Sequence, residues 1–294
     1  ENPSTDVARY RAGDLDMTNY GLPPEQFAKL QKELPGEVYI TRTLATYSYE
    51  LNNKKAPFDN VNIRKALNLS LDRNVITDKV LGQGKTPTYV FTPTYIEEGH
   101  LIQQPAYSKE PMAQRNEEAI KLLEEAGYSK ANPLKFTILY NTNENHKKVA
   151  IAAASMWKAN TKGLIDVKLE NQEWKTYIDS RRAGRYDAAR AGWNADYNQA
   201  TTFGNYFLSN SSNNTAKYAN PEYDKAIAES YVATDAEGRA KAYAKAEEIL
   251  AKDFGIVPIF NYVNPRLVKP YVKGYSGKDP QDHIYLRNLY IIKH

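Results

Sequence analysis

One stretch concentrates the chemistry of this chain. Residues 186–198 read YDAARAGWNADYN. The run opens with small and apolar residues, interrupted by Asp187 and by one cation, Arg190. It then passes through Gly192 into Trp193, Asn194, Asp196, Tyr197 and Asn198, a dense set of aromatic and hydrogen-bonding side chains. A strand end that hands over to such a loop is where an α/β lobe carries a ligand site. A plainer reading stands beside it, in which Asp196 and Asn198 only shape an Asx turn. Other catalytic signatures are missing. There is no G-x-S-x-G and no H-E-x-x-H, and the four histidines, His100, His146, His283 and His294, are scattered without helical ligand spacing. His146 opens an Ala-rich segment, where a surface or capping role competes with a functional one. Carboxylates are plentiful, yet no pair is marked by sequence as an acid/base couple. The run GQGKT at 82–86 invites a phosphate-loop reading, but that pattern needs glycine at position 79, where the chain has Lys79. We expect the run only to turn the chain.

Composition narrows the classes. The 294 residues are 41% hydrophobic and 25% charged, as in an ordinary water-facing globular protein with chain enough for a core. Thirty-nine basic and 35 acidic residues leave a charge of +4, too balanced to point to nucleic acid. No cysteine is present, which removes thiolate chemistry and Cys-ligated metals. No apolar run approaches the roughly 18 residues of a membrane-spanning helix. Tyrosine is over-represented, 23 against 8 Phe and 3 Trp. Its stiff amphipathic ring suits surfaces that bind varied ligands, although most of these tyrosines fit strand positions equally well.

The elements that must position the 186–198 stretch follow from periodicity. Helical patterns are expected near 6–13 and 23–30, a short strand at 15–18, and a long strand at 38–48. Residues 60–81 read as two helices, the second capped by Asp72. Residues 87–113, with four prolines, read as irregular. From 114 the pattern becomes helix (114–126), strand (134–140), helix (143–160), strand (165–169), helix (173–183) and strand (186–193). The β-α-β-α-β part of that series marks an α/β lobe. Beyond it we expect a short helix at 201–208, helices at 221–232 and 235–253, a strand at 255–262, and extended segments at 266–272 and 286–292.

Five segments carry a resemblance: YNTNENHKKVAIAAASMWK (140–158), NQEWKTYIDSR (171–181), RAGWNADYN (190–198), LSNSSNNTA (208–216) and RLVKPYVKGYSGKDP (266–280). Together they closely resemble the periplasmic oligopeptide-binding proteins of bacterial ABC importers, a group of family 5 solute-binding proteins. The similar murein-tripeptide-binding proteins share most of these segments. The match runs essentially end to end. The resemblance implies an α/β fold of the periplasmic-binding-protein type II (cluster C) class, with two lobes joined by two crossovers. It implies that this chain lacks an N-terminal part, signal sequence included. Residues 1–45 and 263–294 are then pieces of the first lobe, and residues 46–262 the whole second lobe.

The same resemblance implies a site and a role. A short peptide would lie extended between the lobes, its α-ammonium on Asp196 and its backbone paired with residues 192–194, that is Gly192, Trp193 and Asn194. Trp174 and Trp193 resemble pocket walls, Arg181 and Arg190 cations lining the cleft, and His146 a residue that meets the ligand carboxylate. Glu50 and Tyr262 would lie near the crossovers and face the same cleft. Three departures matter, and the last two bear on ligand length. Ala45 and Asn194 stand where enteric members carry a cysteine pair. Leu81 replaces a lysine that helps bind the peptide C-terminus. Arg182 replaces a histidine. The expected partners are short peptides, the membrane permease subunits of an importer, and the missing part of the same protein, which would be monomeric when complete. No cofactor, metal or nucleic acid is expected. Alternatives within the fold are murein tripeptide, dipeptide and haem, the last with only His146 as axial ligand. Outside it stand a periplasmic peptidase or glycosidase, and a chaperone using the Tyr-rich surface.

Overall fold

The computed structural model describes residues 3–19 and 21–294. In chain order the elements are α1 (Pro3–Ala12), α2 (Pro24–Glu33), β1 (Val38–Leu51), α3 (Val61–Leu69), β2 (Thr86–Pro87), α4 (Met112–Glu125), β3 (Leu134–Asn141) and α5 (Glu144–Asn160). Then come β4 (Ile165–Gln172), α6 (Trp174–Arg182), β5 (Ala188–Asn194), α7 (Thr201–Gly204), α8 (Pro221–Val232), α9 (Ala236–Lys252), β6 (Ile256–Leu267), β7 (Val272–Lys273) and β8 (Tyr290–Ile291). Six strands form one mixed sheet in the order β2-β6-β1-β5-β3-β4. β3 pairs in parallel with β4 and β5, while β1 pairs antiparallel with β5 and β6. The β3-α5-β4-α6-β5 series is the expected α/β unit.

Local chemistry sets the helix starts. Asn143 Oδ1 accepts from the Asn145 and His146 amides at the head of α5, Asn220 accepts from Glu222 before Pro221, and Asp235 accepts from Gly238. Asp72 Oδ1 accepts from the Asn74 and Val75 amides, as the sequence suggests, but the helix that follows is a π-helical turn, Val75–Leu81. The main core lies between the sheet and α3, α4 and α5. Trp157 is fully buried there, its indole N–H donating to Leu67 O at 2.9 Å. A second apolar cluster joins α7, α8 and α9 around Phe203, Phe207 and Tyr243.

Three expectations change. Residues 15–18 form no strand but a single bridge, Met17 to Val268. Residues 266–272 are not a separate strand, because β6 runs unbroken through Pro265 and Arg266 to Leu267. Pro265 faces Ile40 and Pro258 faces Ser48, the latter at a register shift where a missing amide is tolerated. Residues 286–292 hold a 3-10 turn followed by the two-residue β8. The GQGKT run turns the chain into β2, with Lys85 Nζ on Gln83 Oε1 at 2.5 Å.

One irregularity positions the site. β1 and β6 pair from Val38–Leu267 to Glu50–Ile256, but between Arg42 and Thr46 the register slips. Thr43, Leu44 and Ala45 there oppose Tyr262 alone. Such a bulge bends a strand and re-aims its side chains. Thr43 Oγ1 donates to Tyr262 O at 3.1 Å and Leu44 O accepts from the Ala195 amide at 2.8 Å, so the bulge is tied to both neighbouring strands.

Candidate functional site

β5 carries the site, and its open edge is the first feature of note. The β3–β5 ladder covers only Ala188 and Ala189, while β1 pairs with β5 all the way to Asn194. Residues 190–194 therefore have a strand on one side, and among the described residues none on the other. Ala45 lies directly opposite Asn194, so the two positions where the resemblance places a cysteine pair are cross-strand neighbours.

A cleft of about 690 Å³ opens along that edge. It gathers His146, Trp174, Arg190, Gly192, Asn194 and Tyr262 of the expected residues. Sequence reasoning missed the bulge residues 43–45, Asn141 and residues 280–282, which complete the wall. The bulge has no sequence signal. The 280–282 turn sits at the end of the GKDP run and reaches over so that Gln281 Nε2 donates to Asp196 O at 3.2 Å.

Arg190 sits at the cleft floor. Its Nη2 donates to Tyr262 Oη at 2.6 Å, its Nη1 approaches Asn141 Oδ1 at 3.5 Å, and its guanidinium carbon lies 5.1 Å from the Tyr47 ring. The Tyr177 hydroxyl donates to Arg190 O and holds the backbone. Among the described residues Arg190 has no carboxylate partner, and its Nε has no hydrogen-bond partner at all. The half-buried His146 ring lies 5.5 Å from Tyr47. Burial, and then the nearby Arg190 charge, push its pKa down to about 3, so the ring is neutral at physiological pH.

Three expected residues lie elsewhere. Glu50 does not face the cleft. It is 1% exposed, paired with Arg181 at 2.9 Å, and accepts from Tyr206 Oη at 2.7 Å and from the Thr215 hydroxyl. Arg181 is likewise buried in that pair rather than free on the cleft wall. The physical reason is shared: a carboxylate between packed layers must be matched by a cation and by hydrogen bonds. Arg182 is exposed. With Arg181, Trp193, Trp174 and Gly192 it lines a second, smaller chamber of about 180 Å³. Trp193 packs edge-on against Tyr206 at 4.9 Å, and its indole N–H donates to Thr202 Oγ1 at 3.3 Å.

Asp196 is exposed, not buried as the ligand-bound picture implies. Its Oδ2 accepts from Thr202 Oγ1 at 3.4 Å. Asn198 exchanges bonds with Glu97 instead of lining the cleft. Leu81, 3% exposed, packs into the main core. A larger groove of about 910 Å³ lies on the outer face between the 101–110 segment and α9, away from all of these residues.

A mixed α/β sheet with a polar cleft along an open strand edge fits the fold of a solute-binding protein. The comparisons agree. Residues 1–215 match the family described as bacterial extracellular solute-binding proteins, family 5 (middle), and the chain belongs to that family. It is 97% identical over 294 residues to the periplasmic oligopeptide-binding protein OppA of Haemophilus influenzae, covering all of this chain and 54% of that protein. It is 44% identical to the periplasmic murein peptide-binding protein MppA of Escherichia coli, covering 99% of this chain and 53% of that protein. The chain thus spans about half the length of these relatives. In structure it resembles Haemophilus influenzae OppA in complex with RPPGFSPFR, with a TM-score of 0.91 and 96% identity over all of this chain and 57% of that one. It also resembles the Escherichia coli murein tripeptide-binding protein MppA, with a TM-score of 0.89 and 43% identity over 99% of this chain and 57% of that one. These relatives are binding proteins by name, not enzymes.

Proposed function

We propose that this chain is the ligand-holding part of a periplasmic receptor that captures short peptides and delivers them to the permease of an ABC importer, without chemical turnover. One observation carries the reading. The open edge of β5 is flanked by an exposed carboxylate, Asp196, at one end and by a cation without a carboxylate partner, Arg190, at the other. An extended peptide adds a strand to such an edge, its backbone bonding to residues 192–194 regardless of its side chains. Its ammonium then meets Asp196 and its carboxylate meets Arg190 and His146. Arg190 and Asp196 are six positions apart, about 20 Å at strand rise, so an extended ligand of about six residues matches the backbone span and a shorter one relies on the reach of the Arg190 side chain. Residues 46–262 form the lobe that offers this edge. Residues 1–45 and 263–294 belong with the other lobe, and the β1 bulge opposite Tyr262 is the bend between them.

Murein tripeptide is the second reading, supported by the likeness to MppA and by Leu81, which leaves no lysine at that position. The test is a thermal-shift and calorimetric titration of the longer protein that contains this chain. It compares a tripeptide with a free N-terminus, the same peptide N-acetylated, and murein tripeptide. The free tripeptide should stabilise the protein, and acetylation should weaken binding at least about tenfold, since a charge-assisted bond contributes roughly 1.5–3 kcal/mol. In an Asp196→Asn variant the two affinities should converge. Equal affinities in the wild type would remove Asp196 from the site, and response to murein tripeptide alone would select the second reading.

A further inference from the structure

Asp196 is exposed, and an exposed side chain must give up rotamer freedom before it can hold a ligand. Its backbone is already fixed. The Ala195 amide before it donates to Leu44 O at 2.8 Å, its own amide donates to Thr202 Oγ1 at 3.2 Å, and its carbonyl accepts from Gln281 Nε2 at 3.2 Å. What remains to be set is the direction of the carboxylate.

Thr202 is placed to set it. The residue is 5% exposed and sits in α7, which is anchored by the fully buried Phe203 and by Tyr223, whose hydroxyl donates to Gly204 O at 2.7 Å. A hydroxyl has two acceptor lone pairs and one proton to donate. Trp193 Nε1 donates to Thr202 Oγ1 at 3.3 Å and the Asp196 amide at 3.2 Å, so both acceptor sites are filled by groups that can only donate. The one proton is left for Asp196 Oδ2, 3.4 Å away. Asp196 Oδ1 has no hydrogen-bond partner among the described residues, so it is the oxygen left for a ligand.

We propose that Thr202 is the positioning residue of the ammonium site: its hydroxyl, oriented by two N–H donors, holds the Asp196 carboxylate so that Oδ1 faces the α-ammonium of the ligand. The same hydroxyl holds the Trp193 indole, so one side chain sets both a wall and the charge of the site. The proposal rests on the peptide-receptor reading above and names the residue behind its charged contact. It is tested by calorimetry on the longer protein, with one tripeptide whose N-terminus is free and the same tripeptide N-acetylated. Thr202→Val keeps the side-chain shape and removes the hydroxyl. It should weaken the free tripeptide about fivefold, the scale of freeing one side chain, while the acetylated one changes less than about twofold. Thr202→Ser keeps the hydroxyl and should stay within about twofold of the wild type for both. In an Asp196→Asn background, adding Thr202→Val should change the affinity for the free tripeptide less than about twofold, because the carboxylate that the hydroxyl holds is gone. If Thr202→Val does not fold, Thr202→Ala carries the same comparison. Equal weakening of both tripeptides without the hydroxyl makes Thr202 a framework residue and overturns the proposal. So does an unchanged affinity for the free tripeptide, or a loss in Thr202→Ser as large as in Thr202→Val. A wild type that binds both tripeptides equally removes Asp196 from the site, and Thr202 with it. No binding of either sinks the receptor reading itself, and the proposal falls with it.

Discussion

Acid should weaken this fold through one imidazole, and the size of the effect follows from where His146 sits. The half-buried ring lies against Tyr47 of β1 and shares a cleft wall with Arg190 of β5 and Tyr262 of β6, with no carboxylate paired to it among the described residues. Burial, followed by the Arg190 charge, lowers its pKa from 6.5 to about 3. The folded state therefore binds a proton less readily than the unfolded chain. Stability that is fully present above about pH 6.5 is lost as the pH falls from there towards 3. At pH 5 the unfolded chain is protonated at this site and the folded one is not, a penalty of about 2 kcal/mol at roughly 1.4 kcal/mol per unit. The measurement is urea unfolding of the longer protein at pH 7.5 and pH 5.0, for the wild type and for His146→Gln. The wild type should lose about 2 kcal/mol more than the variant on acidification. Equal losses would refute the reasoning, as would an imidazole resonance that titrates near pH 6.5 in the folded protein. A ligand carboxylate placed against Arg190 should raise the His146 pKa, so peptide binding near pH 5 should take up a proton. That uptake reads out as a binding enthalpy that varies with the ionisation enthalpy of the buffer.

Two further substitutions separate framework from site. Glu50→Gln strips the counter-ion from a buried guanidinium, and chemical unfolding should report a loss of about 3–5 kcal/mol; a loss under about 1 kcal/mol would show that Arg181 is solvated after all. Gly192→Ala places a methyl group against Arg190 Nη2 and Tyr262 Oη in the cleft, displacing their 2.6 Å bond. Peptide affinity should fall about tenfold, equivalent to roughly 1.4 kcal/mol, while the midpoint of thermal unfolding moves by only a few degrees. An unchanged affinity would place the ligand elsewhere.

The β-α-β-α-β series was legible because α5 and α6 keep helical periodicity between short apolar strand runs. The course of β1 was not. From Leu44 to Leu51 every residue is buried, because layers cover this central strand on both faces. Alternation then carries no information about which side a polar residue faces, so nothing in the pattern could correct the cleft position that the resemblance implied for Glu50, which is a core residue. The bulge at residues 43–45 is equally silent, since Thr-Leu-Ala contains no glycine or proline to mark it. The strand expected at 255–262 runs on through Pro265 to Leu267.

What distinguishes site from framework here is the state of the polar groups, not their types. Glu50, Arg181, Tyr206 and Thr215 form a closed set in which each carboxylate oxygen is bonded. Such a set resists removal of any member, but Glu50 offers nothing further to a ligand. Arg190 is held just as firmly, by Tyr262 and Tyr177, yet lacks an acidic partner, and Asp196 has only a long contact to Thr202. Unmet charge on the half-buried Arg190 is costly to the resting protein and strengthens any interaction that satisfies it, whereas the exposed Asp196 is solvated until a ligand covers it. Arg190 lies on β5 and Asp196 in the loop just past its end, and residues 190–194 pair with β1 beside the bulge. A peptide that satisfies both would therefore bind where the chain already bends, which is the position from which ligand contacts could favour closure of one lobe on the other.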